Sequence, residues 1–203
     1  QDFASLKNTM IDSMHNGYGT ELSDILTTLE MQTAIDPPIL IKWFWDIFIV
    51  DALIGNWDRH NGNWGFLYNN ATDEIKLAPV YDCGSCLFPQ ASEEIMKNTL
   101  EDPEERNLRV FEIPLSGIKI NGKKIRYFDF ISSLQNTDCN QALKRILARI
   151  DLIKINKIID ETPFISDLQK TFYKTILKER KEHILNFSYE KLCKSKSSLS
   201  NEN

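Results

Sequence analysis

A mainly helical α+β fold with small β-hairpins is the class this sequence predicts, on three observations. An apolar run from Ile39 to Ile54 is bracketed by helix signals, Asp36-Pro37 before it and Gly55 after it. Two stretches, 64–80 and 118–125, place turn residues between short strand-like runs. From Phe128 onward, apolar residues recur at helical spacing.

The elements follow in order. Residues 21–32 carry Leu22, Ile25, Leu26 and Leu29 on one helical face, with Thr20 as the expected cap. The helix from Pro37 starts behind Asp36, an N-cap residue, with proline in the first turn where its missing N–H does no harm. Trp43, Phe44, Ile47, Phe48 and Val50 make it apolar on most sides, so it is expected to be the central helix. Asp51 interrupts that run and has two readings, a surface carboxylate on the less buried face or an anchor for the loop that follows.

After the helix, Trp64 to Tyr68 reads as a strand, 69–73 as a turn and Glu74 to Val80 as the partner strand. Ser85 to Arg109 is polar and reads as an acidic surface loop, with Ser85, Ser92 and Thr99 as candidate phosphorylation sites. Asn121-Gly122 supplies the two positive-φ residues of a type I′ turn, which makes 118–125 a hairpin. Helices are expected over 128–134, 139–150 and 151–159. A final one starts near Thr162-Pro163 and buries Phe164, Leu168, Phe172, Ile176 and Leu177.

Composition narrows the function classes. The 203 residues include 24 basic and 29 acidic ones, a formal net charge of -5, which argues against direct nucleic-acid binding. The basic clusters at 119–126 and 178–181 read as solvated faces. No apolar run reaches the ~18 residues needed to span a bilayer. The run 39–54 is broken by Lys42, Asp46 and Asp51, so no membrane role is expected. Cys83-Gly84-Ser85-Cys86 is formally C-x-x-C, which suits zinc, a redox pair or simply two small residues. Cys139 and Cys193 stand alone, and His15, His60 and His183 are scattered, which favours the last reading. Reduced thiols fit a cytoplasmic protein.

The most specific feature is the polar string after Gly55. Asp58 is followed five positions later by Asn63, and a second acid, Asp82, comes after the hairpin. Phosphoryl transfer uses such a set: one carboxylate to orient a hydroxyl and take its proton, an Asn oxygen and a second carboxylate to hold magnesium. The string Gly55-Asn56-Trp57-Asp58-Arg59-His60-Asn61-Gly62-Asn63, with Ala78-Pro79-Val80-Tyr81-Asp82 downstream, resembles the HipA-like serine/threonine kinases. That family includes bacterial toxin kinases and a secreted proinflammatory kinase.

The resemblance implies a protein-kinase-like C-lobe of the HipA type that uses ATP and Mg2+. Asp58 would be the proton acceptor, Asn63 and Asp82 the magnesium ligands, and His60 and Tyr81 neighbours of the nucleotide. It implies a protein substrate and an antitoxin-like partner. Arg59 stands where the family often has Asn, and Asp58-Arg59-His60 is similar to phosphatidylinositol kinases, which makes a lipid kinase the alternative. The acidic stretch holding Glu93, Glu94, Glu101, Asp102, Glu104 and Glu105 counts against an anionic lipid surface. A non-catalytic binding module on a kinase scaffold is the other alternative.

A kinase also needs a glycine-rich phosphate loop and a strand lysine. None of the 8 glycines forms Gly-x-Gly-x-x-Gly. Gly17-Tyr18-Gly19 reads as a flexible turn, and Lys7 is too isolated to be the strand lysine. The expectation is therefore a C-lobe over 1–194, cut from a longer kinase at the hinge, nearly inactive alone and followed by a disordered polar tail over 195–203. Asp2 and Phe3 would then edge the adenine pocket through their backbone.

Overall fold

The axis of the fold is the helix Pro37–Ile54, in a computed structural model that describes residues 2–10, 17 and 19–200, without the side chains of 9, 10 and 196–200. Before it come α1 (Phe3–Met10) and α2 (Leu22–Met31), so the axial helix is α3. After it come β1 (Phe66–Asn69), β2 (Glu74–Leu77), α4 (Glu93–Glu101) and α5 (Pro103–Asn107), the last running into a π-helical turn, Leu108–Glu112. The chain continues through β3 (Lys119–Ile120), β4 (Lys123–Lys124), α6 (Tyr127–Ser133), α7 (Thr137–Leu147), α8 (Leu152–Glu161) and α9 (Asp167–Arg180). A second π-helical stretch, Lys181–Asn186, leads into α10 (Phe187–Ser200). Gln1, His15, Tyr18 and residues 201–203, on which expectations above also fell, lie outside the described residues.

The mainly helical class with two small hairpins is what the sequence predicts, and α3 is central because nearly every side of it is apolar. Leu40, Phe44, Trp45, Phe48, Ile49 and Ala52 are buried against α2, α7 and α9. The hairpin pairs Phe66 with Leu77 and Asn69 with Glu74 in antiparallel register. In the second hairpin Asn121 and Gly122 take φ of 52° and 74°, the signs a type I′ turn requires. No helix among the described residues is long and apolar enough to cross a membrane.

Several local expectations need correction. Ser85 to Arg109 is no acidic loop: α4 packs on α9 through Met96, Phe172 and Ile176, a small second core. Thr99 is buried there and its hydroxyl bonds Ile95 O, so it is no surface hydroxyl, while the exposed Ser92 caps α4 through Oγ. Thr20 does not cap α2; its hydroxyl donates to Gly117 O across the fold. Asp36 sits at the N-cap of α3 without a side-chain bond, so the prolines in the first turn define that start.

The helix expected from Thr162-Pro163 is α9, which starts instead behind Ser166 and its capping box with Gln169. Phe164, expected in the core, is left 103% exposed at a φ of 63°. Helix α10 runs on to Ser200 through the segment expected to be a tail.

Candidate active site

Helix α3 ends where the sequence predicts, with Gly55 in the left-handed region at φ 65° and its N–H on Asp51 O. Asn56 N also donates to Asp51 O, so the chain turns out of the helix with its first two amides satisfied. The Asn56 side chain is buried and makes three bonds. Its Nδ2 donates to Asp51 Oδ1 (2.9 Å), and its Oδ1 accepts from Asp58 N (3.1 Å) and Ser85 Oγ (2.6 Å). Tyr127 OH donates to Asn56 O at 2.6 Å. Asn56 thereby presents Asp58, a role the sequence reading did not assign to it. Its signal in the sequence is an Asn directly after a helix-ending Gly, inside the string quoted above.

Arg59 is the second post. Its guanidinium is buried and donates through Nε to Asp51 Oδ2 (2.9 Å) and through Nη2 to Asp51 Oδ1 (3.0 Å), a bidentate pair. Nη1 donates to Asn63 O (2.6 Å) and to Tyr81 O (2.7 Å), joining the Asp58–Asn63 loop to the Tyr81–Asp82 segment. Burial pushes the Asp51 carboxyl up, against the opposing pull of Arg59 and Asn56. Burial also pulls Arg59 down, but the Asp51 carboxylate outweighs it and the guanidinium is held above its ordinary value. Of the two readings of Asp51, the loop anchor is the correct one. Arg59 faces inward, where it holds the loop.

Around these posts the expected site residues converge. Asn63 Nδ2 donates to Asp58 O (2.9 Å), which engages the nitrogen end of the amide. Tyr81 OH donates to Gly62 O (3.1 Å). Burial, then the charges of Asp2 and Asp82, raise the Tyr81 phenol above its ordinary value while Arg59 opposes them, so these four groups share one field. His60 Nδ1 accepts Gly62 N–H (3.0 Å), so in the neutral ring the proton sits on Nε2. Asp82 is exposed and takes φ 54°, a conformation uncommon for residues with a Cβ but more accessible to Asp than to most.

Asp2 bridges to Gly65, and Phe3 N donates to Trp64 O (2.9 Å). The Phe3 ring is buried and stacked on Trp64 at 4.0 Å, so Phe3 acts by packing beneath the loop and has no amide left for a nucleotide. Lys7 is buried on α1 with its ammonium on Gly19 O (2.9 Å) and near Asp24 (3.5 Å), a structural use.

Two further supports were not legible. Gly117 lies so close beneath the loop that a Cβ there would meet Arg59 O at 2.8 Å and Arg59 C at 3.0 Å. Arg180, from a cluster expected to be solvated, is buried with no carboxylate partner among the described residues. It donates to Ala52 O, Arg109 O and Val110 O at 2.8–3.0 Å and lies over the Tyr127 ring at 5.9 Å. Burial pulls its guanidinium down to about 10. Cys83 and Cys86 flank a tight turn closed by Cys86 N to Cys83 O (3.1 Å), and Arg59 Nη2 reaches Cys83 Sγ at 3.7 Å. Burial pushes the Cys86 thiol up to about 12, with the neighbouring Cys83 adding to it.

In chemical terms the site offers a part-exposed carboxylate on Asp58, an amide oxygen on Asn63 and an exposed carboxylate on Asp82. The last two are hard oxygen donors of the kind Mg2+ takes. A sequence profile of the HipA-like C-terminal domain matches residues 1–157. The serine/threonine-protein kinase CtkA of Helicobacter pylori strain J99 is 47% identical over 189 residues, which cover 93% of this chain and 58% of that relative. A crystal structure of a Helicobacter pylori proinflammatory kinase CtkA superposes with a TM-score of 0.92 at 45% identity, over 97% of this chain and 72% of that one.

Proposed function

The chain belongs to the HipA-like C-terminal domain family, and on that premise we propose that it is the catalytic lobe of a serine/threonine kinase that transfers the γ-phosphoryl group of ATP to a protein hydroxyl. The observation that carries this reading is the Arg59 guanidinium, which holds the Asn63 and Tyr81 carbonyls together and so keeps the Asp58 loop against the Asp82 segment. Positioning supplies much of the acceleration of phosphoryl transfer, so a rigid relation between these two segments is what the chemistry asks of a protein.

In this reading Asp58 orients the acceptor hydroxyl and takes its proton, with Asn56 holding the Asp58 amide. Asn63, through its amide oxygen, and Asp82 would hold magnesium, which when bound neutralises phosphate charge. His60 and Tyr81, tied to each other through the N–H and carbonyl of Gly62, line the nucleotide side. Residues 1–203 contain no Gly-x-Gly-x-x-Gly loop, so the reading is tested in the complete gene product. Asp58→Asn should reduce transfer to a protein acceptor by at least 100-fold, the lower end of general-base effects, with an unchanged thermal melt. Asp82→Asn should chiefly weaken magnesium-dependent nucleotide binding. Full activity in Asp58→Asn would remove Asp58 from the base role.

A further inference from the structure

Beside the Asp58 loop is a concavity of about 270 Å3 that the kinase reading does not use. One wall is Trp57, whose Cα lies about 3.8 Å from that of Asp58 across a single peptide. Phe88 and Pro89, six and seven residues beyond Asp82, line it too, with Ile95 of α4 and Ile113. The chain on either side of the proposed chemistry therefore contributes to this pocket, Trp57 just before Asp58 and Phe88 six residues after Asp82.

The lining is mostly apolar, Gln90 and Arg109 being its polar members, and is left open to water. Trp57 is 44% exposed, Ile113 39% and Ile95 36%, a local concentration of large apolar side chains around one hollow. The charged residue in the lining, Arg109, is mostly buried and its Nη1 is held by Glu105 at 2.6 Å, so the pocket offers little to an ionic group. The volume lies below the ~300–1,000 Å3 of sites that enclose a nucleotide-sized molecule, and is of the order of one large side chain.

The wall is also stiff. Leu87 and Phe88 both take left-handed φ, 58° and 57°, which a surrounding structure must enforce for residues with a Cβ. Leu87 N donates to Ile54 O (2.9 Å), and the Phe88 ring meets Phe172 edge-on at 6.1 Å, which together hold that backbone. A hollow that is already formed binds a side chain at a lower ordering cost than a mobile one.

We propose that this pocket is a substrate subsite that seats an apolar side chain of the acceptor protein, within about three residues of the phosphorylated serine or threonine. An extended peptide advances ~3.3 Å per residue, and the pocket wall begins one residue from Asp58. The inference rests on the kinase reading above.

The test is a positional-scanning library of serine- and threonine-containing peptides, phosphorylated by the complete gene product with magnesium and labelled ATP. The expected result is one flanking position at which Leu, Ile, Met or Phe is preferred over Asp and Lys by tenfold or more. Two rim variants then read out the pocket itself: Ile95→Lys should turn that preference toward Asp and Glu, and Ile113→Asp toward Lys and Arg. Both positions are partly exposed, and if either variant fails to fold the wild-type library decides. Peptide phosphorylation without an apolar position, selection unchanged in folded variants, or ATP turnover without transfer to any peptide would each overturn the subsite while leaving phosphoryl transfer in place. No ATP turnover and no transfer at all would overturn both.

Discussion

Replacing Arg59 by Met tests whether the buried guanidinium is the brace of the site. The change strands the Asp51 carboxylate in a buried position, and breaking one partner of such a pair costs about 3–5 kcal/mol. The carbonyls of Asn63 and Tyr81 also lose a donor, each worth ~1–3 kcal/mol if no water reaches it. A loss of at least about 4 kcal/mol is therefore expected, a large part of the ~5–15 kcal/mol that stabilises a domain. Adding Asp51→Leu removes the stranded charge. The double variant should regain roughly 2–3 kcal/mol, less what Asn56 Nδ2 loses with its acceptor. Urea unfolding of the 203-residue chain measures both stabilities, and magnesium-dependent nucleotide binding by the complete gene product measures the site. Binding should stay impaired in the double variant, because Asn63 and Tyr81 are still unbraced. A single variant that costs under about 1 kcal/mol, or a double as unstable as the single, would refute the reasoning.

Two further outcomes follow from the geometry. Gly117→Ala forces a Cβ against the Arg59 carbonyl group, backbone that cannot swing aside, so stability should fall by ~1–3 kcal/mol and nucleotide affinity with it; an unchanged melt and unchanged binding would show that the loop has room to move. Asp151 caps α8 by accepting from Ile153 N and Lys154 N, bonds that hold its carboxyl below the usual range. A depressed folded value means the contribution is present above the ordinary aspartate pKa of ~3.9 and is lost as pH falls through the folded value. Asp151→Ala should therefore lower the thermal midpoint at pH 7 but not under strongly acidic conditions; a difference that persists in acid would assign the effect to something other than the charged cap.

The polar string after Gly55, the axial helix and both hairpins could be read from residue order because each rests on local physics. Gly55 can take the left-handed turn that ends a helix, Asn121-Gly122 can take a type I′ turn, and an all-round apolar helix such as α3 has nowhere to lie but the centre. The spacing of Asp58, Asn63 and Asp82 is likewise a property of the chain. The supports of that site are not local. Gly117 beneath Arg59, Arg180 on the Ala52 carbonyl and Tyr127 on the Asn56 carbonyl are brought in from 58, 128 and 71 residues away along the chain. The cluster around Arg180 reads as solvated, and Asp51 admits that reading beside the loop anchor, because charged side chains normally face water. Their burial depends on which carbonyls and guanidinium groups the packed helices deliver to them, a pairing set when α3, α9 and the loop close on one another.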